Sequence, residues 1–422
     1  MTAKILTTED FLLAAKRSEI STLRQLMISC DLVTRATELI HELQRERGQS
    51  NIYLVSDGRR FAKERDEEMQ TCLTAETNFR QVLNKLNLDH CASSSSRIFS
   101  CIAHVLHGLD GLPAQRELIT SGKIRAADNT KAYSDLIAGL LSLVFEAADL
   151  SSDPDITRAL VAMFNFVQGK EYSGQERAWG LIGFTAGTFK DVLKERLKVL
   201  QEAQDRCFDI FNNFAHTIAV AQWRQVENSE ATGEFQRMRQ MINRYQSGDH
   251  LPTAISDVWY EVATRRIDSM QEIEHELAAA LLTLCQQKID QAEEDLRLHH
   301  DKLKSLEDIG EPPQSPLSAM PDASGVSVTP GVNVKLARTI YDLVQGQAER
   351  LERMSGELAE VRQALEERKL IDKAKGILIQ SRGITEEEAY KQLRQSAMDS
   401  NKRIIDVAVN IISVADMLKG RS

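Results

Sequence analysis

The stretch "ELQRERGQSNIYL", Glu42 to Leu54, continues an apolar stripe that begins ten residues earlier. Leu32, Ala36, Leu39, Leu43, Arg47, Ser50 and Leu54 follow one another in steps of three and four, the spacing that lines one face of a helix. Arg47 therefore sits on the face that the helix should bury. Arg45, two positions away and about 200° round the axis, points elsewhere. A buried guanidinium is costly without an anionic partner. Two partners are open to it: a glutamate of a bundle, in a structural ion pair, or a small planar anion gripped by convergent arginines through bidentate hydrogen bonds. Nitrate fits the guanidinium fork and carboxylates fit almost as well, so the residues by themselves specify an anion.

A second stretch repeats the pattern. "ERAWGLIGF" from Glu176 matches "ERGQSNIYL" from Glu46 in its Glu-Arg pair, in the Ile six positions after the Glu and in the large apolar residue at eight. A Gly and a Phe follow each, Gly58 and Phe61, then Gly187 and Phe189. Arg177 shares its face with Leu181 and Phe184, as Arg47 does with the leucines of its stripe. Two bundles of related design, each with one such helix, is the economical reading.

The rest of the chain agrees with an all-α architecture. Its 422 residues are 42% hydrophobic and 27% charged, with few aromatics and only eight prolines, a composition of Leu-, Ala- and Glu-rich helices. Helical periodicity recurs over 23–54, 71–86, 97–109, 130–148, 157–167, 175–213 and 255–298. Helices of this length with short connections pack as antiparallel four-helix bundles. "EPPQSPLSAMPDASGVSVTPGV", Glu311 to Val332, holds five of the eight prolines and reads as a linker. The expected division is an all-helical region over 1–305, a Pro/Ser-rich linker over 306–333 and a C-terminal module over 334–422.

Charge divides at the same place. Residues 335–422 hold 16 Lys and Arg against 14 Asp and Glu, leaving 36 against 48 for the remainder. The net charge of −10 excludes a protein that coats nucleic acid along its whole length, so any nucleic-acid surface belongs to the tail. The six cysteines are scattered without metal-type spacing and suit buried thiols in a cytoplasmic protein, and no apolar run is long enough to span a bilayer. His104 with His107 and the pair His299 and His300 lack the carboxylate that would make a zinc site. No phosphate-binding glycine loop, nucleophile elbow or base-plus-nucleophile spacing occurs, so no enzyme and no cofactor are expected.

After the linker, Ile340, Val344, Gln347, Leu351, Met354, Leu358, Val361 and Leu365 form a heptad seam, which buries itself against a second copy of the chain or against a helix of the N-terminal region. Gly383 ends that helix, and Thr385 with Glu388 makes a capping box for the next. "EEEAYKQLRQSAM" and "NKRIIDVAVNIISVADML" supply two more helices, giving a three-helix output domain.

Two resemblances follow. "LQRERGQSNIYL", "GQERAWGLIGF" and "VWYEVATRRIDSMQEIEHEL" resemble the NIT domain, a nitrate- and nitrite-sensing module of two four-helix bundles. That likeness implies that Arg47 and Arg177 line a nitrate or nitrite pocket between the bundles, with a third arginine from "EFQRMRQMI", for which position favours Arg237 over Arg239. "IDKAKGILIQSRGITEEEAYKQLRQSAM" followed by "IIDVA" resembles the ANTAR domain, an RNA-binding antitermination module that dimerises through its preceding coiled coil. It implies leader-mRNA hairpins as partners and Ala374, Lys375, Gly376, Arg382, Ser396 and Lys402 on the RNA side. Together they imply a nitrate-responsive antitermination regulator of nitrate assimilation, with the anion as effector. The rival reading is an anion-sensing scaffold whose tail binds a protein.

Overall fold

The computed structural model describes residues 8–86, 95–245, 252, 254–307, 334–384 and 386–419, and among them it contains twelve helices and no strand. They are α1 (Thr8–Val55), α2 (Ala62–Leu83), α3 (Ser95–Thr120), α4 (Ala126–Leu150), α5 (Pro154–Ala186), α6 (Asp191–Phe214), α7 (Thr217–Glu227), α8 (Glu230–Arg244), α9 (Ile255–Glu307), α10 (Val334–Arg382), α11 (Glu386–Ser400) and α12 (Ile404–Lys419). No helix is long and apolar enough to cross a membrane among the described residues.

The stripe of α1 does what its spacing requires. Leu32, Ala36, Leu39 and Leu43 are fully buried against Phe79 of α2, Val105 and Leu109 of α3 and Ile137, Leu140 and Val144 of α4, forming the first four-helix bundle. Burial of such side chains stabilises by roughly 1.5–3 kcal/mol each. α5, α6, α8 and α9 form the second bundle, with α7 packed on α9. Its core has two aromatic clusters. Phe166, Phe208, Phe211 and Trp223 gather at one end, and Phe184, Phe189, Phe235 and Trp259 at the other.

α5 starts where "SSDPD" predicts a boundary: Asp153 Oδ1 accepts from the backbone N–H of Asp155 and Ile156, both at 3.0 Å, and Pro154 takes the first helical position. Its far end differs from the sequence reading. Periodicity suggests a break between Val167 and Gln175 and a continuous helix from 175 to 213. Instead α5 runs unbroken to Ala186, and the chain turns at Gly187, whose φ of +68° caps the helix. The misread segment contains Gln168, Lys170, Glu171 and Ser173, all buried polar residues that erase the apolar pattern without breaking the helix. The first Glu-Arg helix also ends near a positive-φ glycine, Gly58 at +76°, so the internal repeat extends to the turns.

The output module packs its own small core. Ala374 and Leu378 of α10 meet Ala389, Leu393 and Ala397 of α11 and Val407, Ala408 and Ile412 of α12. Gly383 ends α10 with a φ of +64°, as expected; Thr385 of the expected capping box, most of the linker and the side chains of Ile340, Val344 and Gln347 lie outside the described residues. The heptad seam is divided: Val361 and Leu365 are buried in the sensor's core, whereas Leu351 is 59% exposed.

Trp259 fixes the far end of α5 by donating its indole N–H to the Arg177 carbonyl at 2.9 Å, lying where any side chain on Gly180 would collide with it. Gly180→Val is therefore expected to lower the unfolding free energy by about 3 kcal/mol in denaturant titrations, through overpacking against Trp259.

Candidate anion site at the helix crossing

α1 and α5 cross at the two Glu-Arg pairs, and each helix offers a glycine to the other's arginine. A Cβ on Gly48 would stand 2.5 Å from Arg177 Nη2, and one on Gly174 would stand 2.6 Å from Arg47 Nη2. Only a residue without a side chain lets a guanidinium lie this close to the opposing backbone. Both arginines are shut in, with Arg47 at 0% and Arg177 at 3% exposure.

Arg47 has the partner that a buried cation needs. Its Nη1 donates to Glu171 Oε1 at 2.6 Å and its Nη2 to Oε2 at 3.0 Å, while Nη1 also donates to Ser134 Oγ at 2.8 Å. Glu171 also accepts from Gln44 Nε2 at 3.0 Å and Gln175 Nε2 at 2.8 Å. The bundle glutamate open to Arg47 from the sequence is Glu171, which belongs to the second bundle.

Arg177 is placed differently. Its Nη1 donates to Thr264 Oγ1 at 2.9 Å and its Nη2 to the Gln44 carbonyl at 3.1 Å, both neutral acceptors, and its guanidinium stands 5.0 Å from the Tyr260 ring centre. Its Nε is buried without an acceptor, and among the described residues no carboxylate pairs with it. The repeat supplies the reason. Glu171 lies six residues before Arg177; the residue six before Arg47 is His41, which burial and neighbouring Lys170 hold far below the usual histidine range. His41 is thus neutral, and Lys170 bridges its Nδ1 to Glu274. The pseudo-symmetric crossing has two arginines and one carboxylate.

The glutamates of both Glu-Arg pairs turn inward within their own bundles. Glu46 receives Arg116 of α3 at 2.7 and 2.8 Å, and Glu176 receives Arg239 of α8 at 2.8 and 2.5 Å. This corrects the choice on α8: Arg237 is exposed, and Arg239 is the buried one that reaches the α5 network. The spacing already separates them: Arg239, four residues after Phe235 and three before Ile242, shares their buried face, whereas Arg237 lies about 200° round the helix from Phe235. Arg45 turns outward to Glu68 at 2.9 Å, on a different face from Arg47.

On the output module, Gly376, Arg382, Ser396 and Lys402 are exposed, with nothing within 4 Å of where a Gly376 side chain would begin. Arg382 donates to Gln392 at 2.6 Å, and Lys375 is drawn to Asp372 at 2.6 Å. Ala374 is a correction, because it is fully buried among Ala389, Leu393 and Ala408 and presents no surface to RNA. Its smallness lets the three helices approach.

Other basic residues of the module are engaged by the sensor. Lys369 pairs with Asp149 at 2.5 Å, Arg394 with Glu202 at 2.8 Å and Lys391 with Glu195 at 3.7 Å. Arg368 donates to Gln168 at 3.2 Å and lies 4.6 Å from the centre of the Phe164 ring. Burial works to raise the Asp149 carboxyl, yet Lys369 and Arg97 together hold it below its ordinary value. The acidic partners of these lysines and of Arg394 lie some 200 residues away in the chain.

An all-helical sensor with a buried, charge-deficient cation site, coupled to a small basic three-helix module, defines a ligand-responsive regulator. Residues 38–282 match the family model described as nitrate and nitrite sensing, NIT, and residues 359–412 match the ANTAR domain. The nitrate regulatory protein of Klebsiella oxytoca is 32% identical over 406 residues, 96% of this chain and 94% of that protein. The solved structure of the NasR transcription antiterminator is similar at a TM-score of 0.61 and 30% identity, covering 97% of this chain and 99% of that one. The transcriptional regulatory protein PdtaR of Mycobacterium tuberculosis is 37% identical over 62 residues, 14% of this chain and 30% of that protein. The chain belongs to the NIT family of nitrate and nitrite sensors, in its ANTAR-bearing form, and is a nitrate-responsive antitermination regulator.

Removing one member of the buried pair isolates the other. Glu171→Ala is expected to cost about 3–5 kcal/mol in chemical denaturation, and Arg47→Met with Glu171→Met together to recover most of it.

Proposed function

We propose that nitrate or nitrite enters at the α1–α5 crossing, is held by Arg47 and Arg177, and releases the output module from the sensor so that it engages hairpins in leader mRNA and prevents termination. The observation that carries this reading is that one helix bears both halves of the device. α5 supplies Glu171, Gly174 and Arg177 to the cation site, and Phe164 and Gln168 to the seat of Arg368. Gln168 and Glu171 are three residues apart, about one turn.

An anion can shift an equilibrium only by binding its two states unequally. Here the difference has a physical source. In the closed crossing Arg177 has only neutral acceptors, so a monovalent oxyanion supplies the charge that its burial lacks. Because both guanidiniums are closed off from solvent, admitting the anion requires α1 and α5 to part slightly, and that movement disturbs the face on which α10 rests. Release frees Val361 and Leu365, which then complete with Leu351, Met354 and Leu358 a seam for a second copy of the chain. It also frees Arg368, Lys369, Lys391 and Arg394 from sensor residues, restoring positive charge for phosphate binding. Gly376, Arg382, Ser396 and Lys402 complete the RNA side. A cytoplasmic setting follows from an RNA target and a dissolved effector.

Three measurements test this. Calorimetry on the full chain is expected to show nitrate binding that Arg177→Ala abolishes; unchanged binding would move the site elsewhere. Val361→Asp, which breaks the apolar contact between α10 and the sensor, is expected to give nitrate-independent binding to hairpin RNA in a filter assay. That binding should weaken steeply between 50 and 200 mM salt, as phosphate contacts do. Salt-insensitive or absent RNA binding by the released form would favour a protein partner for the tail.

A further inference from the structure

The second bundle holds another cation whose charge is unanswered, and beside it an indole N–H in the same condition. Arg266 of α9 is 6% exposed. Its Nη1 donates to Ser173 Oγ at 3.1 Å and reaches Gln204 Oε1 at 3.5 Å, both neutral, and its Nε is buried with no acceptor. Its guanidinium lies between aromatic faces, 5.3 Å from the centre of Phe235 and 5.8 Å from that of Trp223. Trp223 is 1% exposed, and its Nε1–H is also buried without an acceptor.

The surrounding groups cannot supply the missing charge. Glu176 is fully engaged, receiving Arg239 through both oxygens along with Gln201 at 2.9 Å and Gln204 at 2.7 Å. Gln204 Oε1 is shared among Ser173, Arg239 and Arg266. Glu227 and Asp205 act on Arg266 only at a distance, and among the described residues no carboxylate pairs with it. Burial, reinforced by the like charge of Arg239, brings its pKa down to about 9. Most buried polar groups have a partner, so two orphaned donors on side chains this close, one of them cationic, lack an acceptor of the kind an oxyanion supplies.

We propose that Arg266 and the Trp223 indole N–H form a receiving position for the sensor's small oxyanion, one turn along α5 from Arg177. Ser173, which holds Arg266, precedes Arg177 by four residues on α5, and Thr264, which holds Arg177, precedes Arg266 by two on α9. Both uncompensated arginines therefore belong to the α5–α9 interface. A planar oxyanion offers several acceptor oxygens for the guanidinium fork and the indole, and its negative charge balances the bundle. The inference rests on the nitrate-sensing reading and adds two donors to it.

The test uses the full chain, with sodium nitrate titrated at constant ionic strength against sodium chloride, followed by calorimetry and thermal unfolding. Wild type that does not respond to nitrate would defeat the sensing reading, and this proposal with it. If wild type responds, Trp223→Phe, which removes the N–H together with the five-membered ring of the indole, is expected to weaken nitrate binding several-fold and to lower the nitrate-free melting temperature through lost packing, so the melting-temperature criterion is read on Arg266→Gln. Arg266→Gln is expected to weaken it at least tenfold, with a nitrate-free melting temperature equal to or above that of wild type, because a cation awaiting an anion destabilises the empty bundle. Affinities within twofold of wild type for both variants overturn the proposal. So does lost affinity in Arg266→Gln accompanied by a lowered nitrate-free melting temperature, the signature of a purely structural cation. Should Arg266→Gln fail to fold, Arg266→Lys decides: it keeps the charge and loses the fork, and nitrate affinity equal to wild type sinks the idea.

Discussion

The fork between Arg47 and Glu171 is the constraint on which the rest of the molecule depends. It joins the two bundles at their centre through a charge pair that neither bundle could bury alone. Two glycines, Gly48 and Gly174, bring the helix backbones close enough for it to form. A buried pair of this kind contributes little net stability over an apolar replacement, because desolvation offsets the attraction. What it contributes is register. α1 and α5 can cross at one place, with the Glu-Arg repeat facing itself.

The repeat is symmetric in its arginines and asymmetric in its acids. Each Glu of the two pairs is captured by an arginine of its own bundle, Arg116 or Arg239. Across the crossing, Glu171 answers Arg47, while the corresponding neutral His41 leaves Arg177 without a counter-charge. A bundle that tolerates such an imbalance holds an electrostatic cost, the source of the unequal affinity proposed for an anion. That differential is the physical requirement for a sensor, as opposed to a rigid ion-paired core.

α5 turns this local imbalance into a property of the whole chain. The helix is nearly all buried, packed on the first bundle, within the second, and against α10. A tightly packed helix does not bend gradually when one end is disturbed, so the disturbance is transmitted to its neighbours. The seat of Arg368 on Phe164 and Gln168 lies within two turns of Glu171. The acidic surface at Asp149, Glu195 and Glu202 completes the grip on the basic module. Sensor acidity, which in the sequence reads as a general excess of Asp and Glu, is spatially matched to the basic positions of the output helices.

Sequence alone determined the helical class, the two-bundle repeat, the output module and the anomaly of Arg47, because these are consequences of period and composition. Side chains three and four apart must share a helix face whatever surrounds them. It failed over 168–174, where buried polar residues mimic a loop, and on α8, where Arg237 was preferred although Arg239 shares the helix face of Phe235 and Ile242. It also counted Ala374 among surface positions when close helix packing had claimed it. Only the tertiary structure decided which glutamate meets which arginine, which cations are left over and where the basic tail rests. Those are matters of distance between residues more than 100 positions apart, and neither periodicity nor local charge encodes that distance.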